Sequence, residues 1–379
     1  MDFALTEEQQ LIQQSAREFA AEQVEPLAEE LDKTGRYPAE TIKKMAEMDF
    51  MGMPYPEEYG GAGADYLSYI MVVEELSKAC ASTGIIYSAH CSLGMFPIYN
   101  WGSEELKQKY LVPLCKGEKL AAFALTEPSA GTDAAAGQCT AKLDGDEYVL
   151  NGTKCFITNG GVADVYIILA LTDPTLGTKG ISAFVVEGGV PGFEIGKHED
   201  KMGIRGSQTT ELIFKNCRIP KENLIGKEGK GFGIAMTTLD GGRIGVAAQA
   251  LGIAQAALEE AVKFAKERVQ FGKPIATKQA IQWMLAEMET KIQASRLLTY
   301  QAAAAKDRGE KYSKEAAMAK MFASESADWV CNKAIQIHGG YGYIKDFKVE
   351  RCYRDAKICT LYEGTNEVQR MVIAGSLLR

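Results

Sequence analysis

The sequence predicts a mainly α-helical protein with a β domain in the middle of the chain. Residues 1–120 and 231–379 carry apolar side chains at helical spacing, whereas short β-branched or aromatic runs occupy residues 121–230. At 379 residues the chain exceeds the size of one hydrophobic core, so we expect more than one domain. We predict an N-terminal helical domain (1–120), a middle β-barrel or β-sandwich domain (121–230) and a C-terminal four-helix bundle (231–379).

Helical signals fill the first third of the chain. Thr6-Glu7-Glu8-Gln9 fits a capping box, in which two side chains satisfy free backbone N–H groups at a helix start. Pro26 should interrupt the helix that follows, and Pro38 should open another. The remaining signals are helical patterns over 65–79, 84–98 and beyond residue 103, with a glycine- and proline-rich loop over 53–63.

The middle of the chain changes to a β pattern. Its short apolar runs are separated by residue pairs typical of turns, such as Asn151-Gly152 and Pro191-Gly192. Because no helical pattern separates the runs, they favour a compact barrel or sandwich. The clearest runs are 149–150, 166–171, 182–186 and 212–214.

From residue 231 the pattern is helical again. Four alanine-rich amphipathic stretches with short connections are typical of an antiparallel helix bundle. They cover residues 236–267, 275–307, 313–337 and 367–378.

Charge and cysteine content exclude several classes of protein. A formal charge of −8 disfavours binding to nucleic acid or to an anionic membrane surface. The longest purely apolar run, 165–171, is too short to cross a bilayer, and the acidic N-terminus lacks the pattern of a signal peptide. Nine cysteines without a Cys-x-x-Cys pair, and only three dispersed histidines, indicate neither a disulfide framework nor a metal site. We expect a cytoplasmic protein with reduced thiols.

One carboxylate near the C-terminus stands out as a candidate base. Glu363 lies at the junction between the apolar residues 358–362 and Gly364, and apolar neighbours would raise its pKa, which suits a general base. Gly364 would let the backbone approach a ligand, and Thr365 fits a helix start. By themselves these residues also fit an exposed loop glutamate ahead of a capped helix.

Two common nucleotide-binding signatures are absent from the sequence. No Gly-Lys pair is followed by Ser or Thr, so there is no Walker loop. Gly229-Lys230-Gly231-Phe232-Gly233 has the wrong spacing for a dinucleotide fingerprint and is not part of a βαβ unit. A nucleotide cofactor would have to be bound in another way.

Several segments together resemble one known family. They are Phe123-Ala124-Leu125-Thr126-Glu127-Pro128-Ser129-Ala130-Gly131-Thr132-Asp133, Phe156-Ile157-Thr158-Asn159-Gly160, Leu239-Asp240-Gly241-Gly242-Arg243, Arg268-Val269-Gln270-Phe271-Gly272, Gln336-Ile337-His338-Gly339-Gly340-Tyr341-Gly342-Tyr343 and Tyr362-Glu363-Gly364-Thr365-Asn366-Glu367-Val368-Gln369-Arg370. They resemble, in order and over essentially the whole chain, segments of the acyl-CoA dehydrogenases, flavoenzymes that desaturate acyl thioesters. The order of helices, β module and helices is similar to that family's three-domain fold.

The resemblance implies an FAD site shared between subunits of a homotetramer, a dimer of dimers. Arg268 would pair with the FAD pyrophosphate, because a planar guanidinium binds phosphate bidentately, and Gly339 and Gly340 would reach the FAD of a neighbouring subunit. Thr132 replaces the family's usual serine and Phe156 its usual tryptophan. The implied cofactor-binding residues are Phe123, Leu125, Thr126, Thr132, Phe156, Ile157, Thr158, Arg268, Gln270, Phe271, Gln279, Gln336, Gly339, Gly340, Thr365 and Glu367.

The resemblance also implies the reaction. Glu363 would remove the α proton of an acyl-CoA while the β hydride passes to the flavin, and the Glu363 backbone N–H would bind the thioester oxygen. Some family members carry their base beside the arginine of the Asp240 to Arg243 segment, where this chain has Gly242. The implied substrate-binding residues are Thr132, Asp240, Arg243, Tyr362 and Gly364.

The segment from Leu239 to Gly252 is similar to the short-chain, butyryl-CoA type within this family. It implies oxidation of butyryl-CoA to crotonyl-CoA with an electron-transfer flavoprotein as partner, or the reverse reduction of an enoyl-CoA. An acyl-CoA oxidase and a dehydrogenase for branched or other short acyl-CoA substrates remain alternatives. A helical scaffold without enzyme activity is the alternative outside enzymology; it would be colourless, whereas a flavoenzyme is yellow.

Overall fold

A computed structural model describes residues 4–378, in which helices are followed by a sheet and then by helices again. The predicted fold class, helices on either side of a middle β domain, is confirmed. Residues 1–3 and 379 lie outside the described residues. They include the outer limits of the predicted domains and the first three residues of the acidic N-terminus that lacks a signal-peptide pattern.

The N-terminal region begins with the predicted capping box. The Thr6 hydroxyl accepts a hydrogen bond from the Gln9 backbone N–H at 3.2 Å, and Thr6 N donates to Gln9 Oε1 at 3.0 Å. A π-helical segment and a 3-10 turn containing Pro26 interrupt the first helix, and Pro38 precedes another, both as predicted. The helices are α1 (Glu7–Phe19), α2 (Ala28–Thr34), α3 (Ala39–Glu47), α4 (Tyr66–Ala79), α5 (Ala81–Ser88), α6 (Phe96–Trp101), α7 (Glu104–Leu106) and α8 (Val112–Cys115).

The middle domain is one hydrogen-bonded network of eight strands in the order β6-β7-β3-β2-β4-β5-β8, with β1 parallel to β4. The strands predicted to form a barrel or sandwich thus belong to a single sheet, in which β6 and β8 are the two end strands of the hydrogen-bonded order. The strands are β1 (Ala121–Ala124), β2 (Thr140–Asp144), β3 (Glu147–Thr158), β4 (Val165–Leu171), β5 (Ile181–Glu187), β6 (Phe193–His198), β7 (Thr209–Pro220) and β8 (Leu224–Ile225).

Strand β4 explains why its sequence is apolar without alternation. Successive side chains of a strand point to opposite faces, and both faces of β4 are buried. Val165, Ile167 and Leu169 belong to the large core that the helices share. Tyr166 and Ile168 belong to a second core inside the middle domain.

The C-terminal region holds five helices within residues 231–378, one more than the four predicted. The sequence analysis did not include α12, whose mean hydropathy is low because charged residues fill its outer face. A short hairpin, β9 (Val269–Gln270) with β10 (Lys273–Pro274), delays the second long helix to Gln279. The helices are α9 (Gly231–Glu267), α10 (Gln279–Asp307), α11 (Ser313–His338), α12 (Lys348–Ile358) and α13 (Asn366–Leu377).

Small residues let α9 lie close to α4. A Cβ atom on Gly252 would come within 2.9 Å of the Lys78 backbone nitrogen, so this approach requires glycine.

All nine cysteines are buried free thiols. Within residues 4–378, no helix has the length and apolarity of a membrane span, and no group of three or more metal-ligating side chains is assembled.

Candidate active site

All three regions of the chain contribute walls to a cavity of about 800 Å³, which we call the inner cavity. The segment from α5 toward α6 supplies one apolar wall with Ile85, Ala89 and Leu93, and the sheet supplies a second. The third wall is formed by α9 and the segment between α12 and α13, which contains Glu363. Of the residues expected from the sequence, the inner cavity brings together Phe123, Leu125, Thr126, Thr132, Phe156, Ile157, Thr158, Arg243, Tyr362, Glu363, Gly364 and Thr365.

Glu363 lies in a sharp turn between two helices. Its φ is +53°, a left-handed conformation that a non-glycine residue adopts only under strain, and Gly364 continues it with φ +88°. The helix start predicted at Thr365 is confirmed, since α13 begins at Asn366 with Thr365 as its N-cap. The turn places the Glu363 side chain in the wall of the inner cavity.

The Glu363 carboxyl group is held in a poorly solvated place. Burial raises its pKa to about 7, and the positive charges of Arg243 and then Lys320 act in the opposite direction. Its Oε2 atom is buried and has no hydrogen-bond partner among the described residues. The direction of this pKa shift is the one expected from the apolar neighbours of Glu363.

Gly242 leaves the space that this carboxyl group occupies. A Cβ atom at Gly242 would lie 2.7 Å from Leu93 Cδ2 and closer still to Glu363 Oε2. A side chain at 242 and the observed position of the Glu363 carboxyl group therefore exclude one another. The glycine at 242 and the glutamate at 363 are structurally complementary.

Asp240 and Arg243 are a buried pair rather than a surface pair. Arg243 Nη1 lies 2.6 Å from Asp240 Oδ1, with side chains 7% and 16% exposed. Arg243 lines the inner cavity, whereas Asp240 does not and instead accepts hydrogen bonds from Arg243 and Ser313. Arg243 Nε also donates to the Glu363 carbonyl oxygen at 3.4 Å.

A bulge in β3 presents the aromatic side of the cavity. The pairing of β3 with β7 shifts register between Lys154 and Ile157, and Phe156 in the bulge has φ +58°. Bulges redirect side chains, and here Phe156 lines the cavity mouth with 64% of its surface exposed. Ile157 and Thr158 continue the same wall.

A buried ion pair fixes the neighbouring loop. Lys154 Nζ lies 2.7 Å from Glu127 Oε1 and donates to the Leu125 carbonyl oxygen at 3.0 Å. Glu127 also accepts hydrogen bonds from the backbone N–H groups of Gln138 and Cys139. The sequence analysis gave neither charged residue a role, because nothing in a strand pattern shows that a lysine is buried with a carboxylate from another segment.

Other expected residues lie at a second site, a cavity of about 420 Å³ that we call the outer hollow. Arg268, Gln270, Gly339 and Gly340 line it. The Arg268 guanidinium lies 5.2 Å from the centre of the Tyr341 ring and has no carboxylate partner among the described residues. Added Cβ atoms on Gly339 or Gly340 would meet nothing within 4 Å, so the backbone there is open to a ligand.

A last group of expected residues lines neither cavity within one chain. Phe271 is 93% exposed, and Gln279, Gln336 and Glu367 are exposed as well. Exposure on one chain is what residues that meet a ligand held by another chain would show. Their expected roles stay predictions.

Comparison with known proteins is consistent along the whole chain. Models of the acyl-CoA dehydrogenase N-terminal, middle and C-terminal domains match residues 6–118, 122–217 and 229–378. The chain is 58% identical to the short-chain specific acyl-CoA dehydrogenase of Clostridium acetobutylicum over 379 residues, which cover 100% of both chains.

Two solved structures are similar over 100% of both chains. Butyryl-CoA dehydrogenase from Megasphaera elsdenii is 52% identical with a TM-score of 0.99. A chain solved in work on the electron transferring flavoprotein of Acidaminococcus fermentans, towards a mechanism of flavin-based electron bifurcation, is 58% identical with a TM-score of 0.99. With its fold, the cavity lined by Glu363 and these matches, the chain belongs to the acyl-CoA dehydrogenase family, oxidoreductases that act on the CH–CH bond of acyl-CoA thioesters.

Proposed function

We propose that the chain is a short-chain acyl-CoA dehydrogenase that converts butyryl-CoA to crotonyl-CoA in the inner cavity, with Glu363 as the base. The observation that carries this proposal is the Glu363 side chain, which lines the cavity and whose Oε2 atom is buried without a hydrogen-bond partner among the described residues. A base works best with a pKa near the operating pH, and the pKa of Glu363 is about 7.

The backbone at Glu363 supports binding of the thioester. Among the described residues, no acceptor takes the Glu363 N–H, so this donor is available in the wall of the cavity. A hydrogen bond from this N–H to the thioester oxygen would stabilise the negative charge that develops as the α proton leaves. The carboxylate and the N–H of one residue would then act on adjacent carbons of the substrate.

The inner cavity fits a flavin. Phe123, Leu125 and Phe156 offer apolar surface to a planar ring, and the hydroxyl groups of Thr126 and Thr158 can bind its polar edge. The flavin supplies the acceptor for the hydride that leaves the substrate's β carbon. Thr132, at the exposed side of the cavity, would bind cofactor and substrate through its hydroxyl group.

The outer hollow supports FAD as the form of the flavin and a homotetramer as its host. The Arg268 cation without a carboxylate partner suits a pyrophosphate, and the open backbone at Gly339 and Gly340 suits close approach. Phe271 and Tyr343, 93% and 87% exposed, are apolar surface that a second copy would cover. We infer that the FAD of one subunit reaches the outer hollow of another, in a dimer of dimers.

The wall of Ile85, Ala89 and Leu93 supports a preference for C4 to C6 acyl chains. Behind this wall Tyr69 is fully buried and donates to the Ser88 carbonyl oxygen, so the wall is backed by packed core. Each buried CH₂ adds about 0.8 kcal/mol of favourable transfer energy, so only steric exclusion can reject longer chains. We infer that the packed side chains of this wall exclude longer acyl chains from the inner cavity.

The electrons removed from the substrate would pass to a second protein. An electron-transfer flavoprotein as acceptor is supported by the 58% identity to the chain solved in that context. Burial raises the pKa of Glu363 and so favours its protonated form, which could return a proton when an enoyl-CoA is reduced. Nine free thiols support a reducing, cytoplasmic setting.

The test is anaerobic reduction of the purified, yellow protein. Butyryl-CoA should bleach the flavin absorption rapidly, whereas palmitoyl-CoA should react far more slowly. In air, butyryl-CoA should give little hydrogen peroxide, since rapid peroxide formation would identify an oxidase. A colourless protein, or one that no acyl-CoA from C4 to C16 reduces, would refute the proposed function.

A further inference from the structure

The turn that carries Glu363 needs support from elsewhere in the chain. Both Glu363 and Gly364 have positive φ, and for a glutamate this left-handed conformation is strained. Such a conformation persists only when surrounding contacts fix it. The carbonyl oxygens of the two residues show which contacts these are.

Lys320 and Gln369 bind the two carbonyl oxygens from buried positions. Lys320 Nζ donates to the Gly364 oxygen at 2.9 Å and to Asn366 Oδ1 at 2.8 Å. Gln369 Nε2 donates to the Gly364 oxygen at 2.8 Å and to the Glu363 oxygen at 3.3 Å. Both side chains are fully buried. Side chains of α11 and α13 thus hold the turn, together with Arg243 of α9, whose Nε donates to the Glu363 oxygen at 3.4 Å.

The burial of Lys320 is unusual because it has no ion-pair partner among residues 4–378. Burying an ammonium group costs free energy unless its charge is compensated. A lysine that is buried without an ion-pair partner therefore indicates a specific structural or functional role. Arg243, the other nearby cation, is already paired with Asp240 at 2.6 Å. The unpaired charge beside the turn is therefore that of Lys320.

We propose that Lys320 and Gln369 are positioning residues, which hold the Glu363–Gly364 turn so that the carboxyl group faces the inner cavity, with the Lys320 charge favouring its carboxylate form. This inference rests on the proposed function, because it concerns the same base. The two residues have separable roles, since Gln369 acts by geometry alone and Lys320 by geometry and charge.

The charged and titratable groups around Glu363 define what a pH experiment will report. They are Asp240 and Arg243 on α9, Lys320 and Glu325 on α11, Glu367 and Arg370 on α13, Cys359 and Tyr362 in the turn, and Tyr66 and Tyr69 on α4. Burial raises the pKa of Glu363, and Arg243 and Lys320 lower it. Burial also lowers the pKa of Lys320, to about 8.

Loss of the Lys320 charge should shift the pH dependence of the reaction rate. A nearby positive charge favours the carboxylate, so its removal raises the pKa of Glu363, and the enzyme then needs a higher pH to ionise its base. In Lys320→Gln, which keeps an N–H donor but loses the charge, the acidic limb of the rate should move to higher pH by roughly one unit. Lys320→Arg should restore the wild-type limb.

Gln369→Leu tests whether the position of the Glu363 carboxyl group affects the rate when no charge is changed. It should leave the acidic limb in place but lower the plateau rate by roughly tenfold or more, because a base displaced by about 1 Å from the α carbon loses rate steeply. Ser324→Ala is the matched control, since the buried Ser324 hydroxyl contacts Asn366 but neither carbonyl oxygen of the turn. It should keep both limb and plateau.

The experiment uses each FAD-loaded variant, mixed anaerobically with butyryl-CoA from pH 6 to pH 9, and follows the rate of flavin bleaching and the substrate Kd. A Lys320→Gln enzyme with the wild-type limb would overturn the role of its charge. A Gln369→Leu enzyme with the wild-type plateau would overturn the role of geometry. If wild type itself is not bleached, the proposed function fails instead, so the two failures are distinct.

Discussion

The inner cavity and the outer hollow differ in how much of each site one chain provides. The inner cavity draws on all three regions of the chain and is lined by Glu363, whose Oε2 atom is buried and whose turn accepts hydrogen bonds from side chains of α11 and α13. The outer hollow is built from the ends of α9 and α11 with a short hairpin, and its cation has no carboxylate partner among the described residues. If the proposed function is correct, one chain supplies all the side chains of the proton-transfer site, whereas the proposed pyrophosphate site in the outer hollow needs a second subunit to supply the rest of the cofactor site.

This difference has a physical reason. Proton abstraction from carbon needs a base whose solvation and position are fixed, and only a packed interior provides both. A pyrophosphate is well solvated and needs only a bidentate cation and open backbone, which a surface can offer. The comparison predicts that changes at the inner cavity affect the chemical step and changes at the outer hollow affect cofactor retention.

Glu363→Gln should have the largest effect and would break the comparison most directly. Glutamine is nearly isosteric but cannot accept the α proton, and Gly242 supplies no second carboxylate, so flavin bleaching by butyryl-CoA should slow by at least about 10²–10⁴-fold. Flavin content and butyryl-CoA affinity, measured by absorbance and by titration, should stay near wild type. Rapid bleaching by this variant would assign the base to another residue.

Arg268→Ala should have the next largest effect, and on retention instead of rate. Loss of a charged hydrogen-bonding partner costs about 1.5–3 kcal/mol, which is roughly a 10- to 100-fold weaker FAD affinity. Lys266→Ala, an exposed cation two residues earlier that does not line the hollow, is the matched control. Equilibrium dialysis of FAD measures both; equal affinities for the two variants would remove Arg268 from the cofactor site.

Gly242→Ala should have a smaller effect that sharpens the inner half of the comparison. The added methyl group overlaps the Glu363 carboxyl group and Leu93, and overpacking costs typically about 1–3 kcal/mol. The bleaching rate should fall while FAD affinity stays unchanged. Gly233→Ala on the same helix, where an added Cβ meets nothing within 4 Å, should leave the rate unaltered. If the Gly242→Ala enzyme reacts as fast as wild type, the space between Gly242 and Glu363 is not restricted.

Local patterns predicted the fold and part of the site. The capping box at Thr6 and the β pattern of residues 121–230 depend on neighbours in sequence, so they can be recognised without a structure. The residues beside Glu363 indicated apolar surroundings but fitted an exposed loop glutamate equally well. Helix α12 was missed because its charged outer face dilutes the apolar pattern. The Lys154–Glu127 pair depends on segments that meet only in the folded chain.

The position of Lys320 in the sequence could have indicated a buried lysine. It lies on α11 four residues after Ala316 and three before Ala323, on the apolar stripe that faces the core. A lysine on such a stripe either disrupts the helix or has a buried acceptor, and here the acceptors are Gly364 and Asn366. What no pattern could show is that those acceptors adjoin the base.

The two-sided burial of β4 has a consequence for the independence of the three regions. One row of its side chains packs into the helical core and the other into the core of the middle domain. A fragment limited to the sheet would therefore expose an entire apolar row to water and would aggregate rather than fold alone. We therefore expect that the sheet does not fold or unfold independently of the helices that pack on β4.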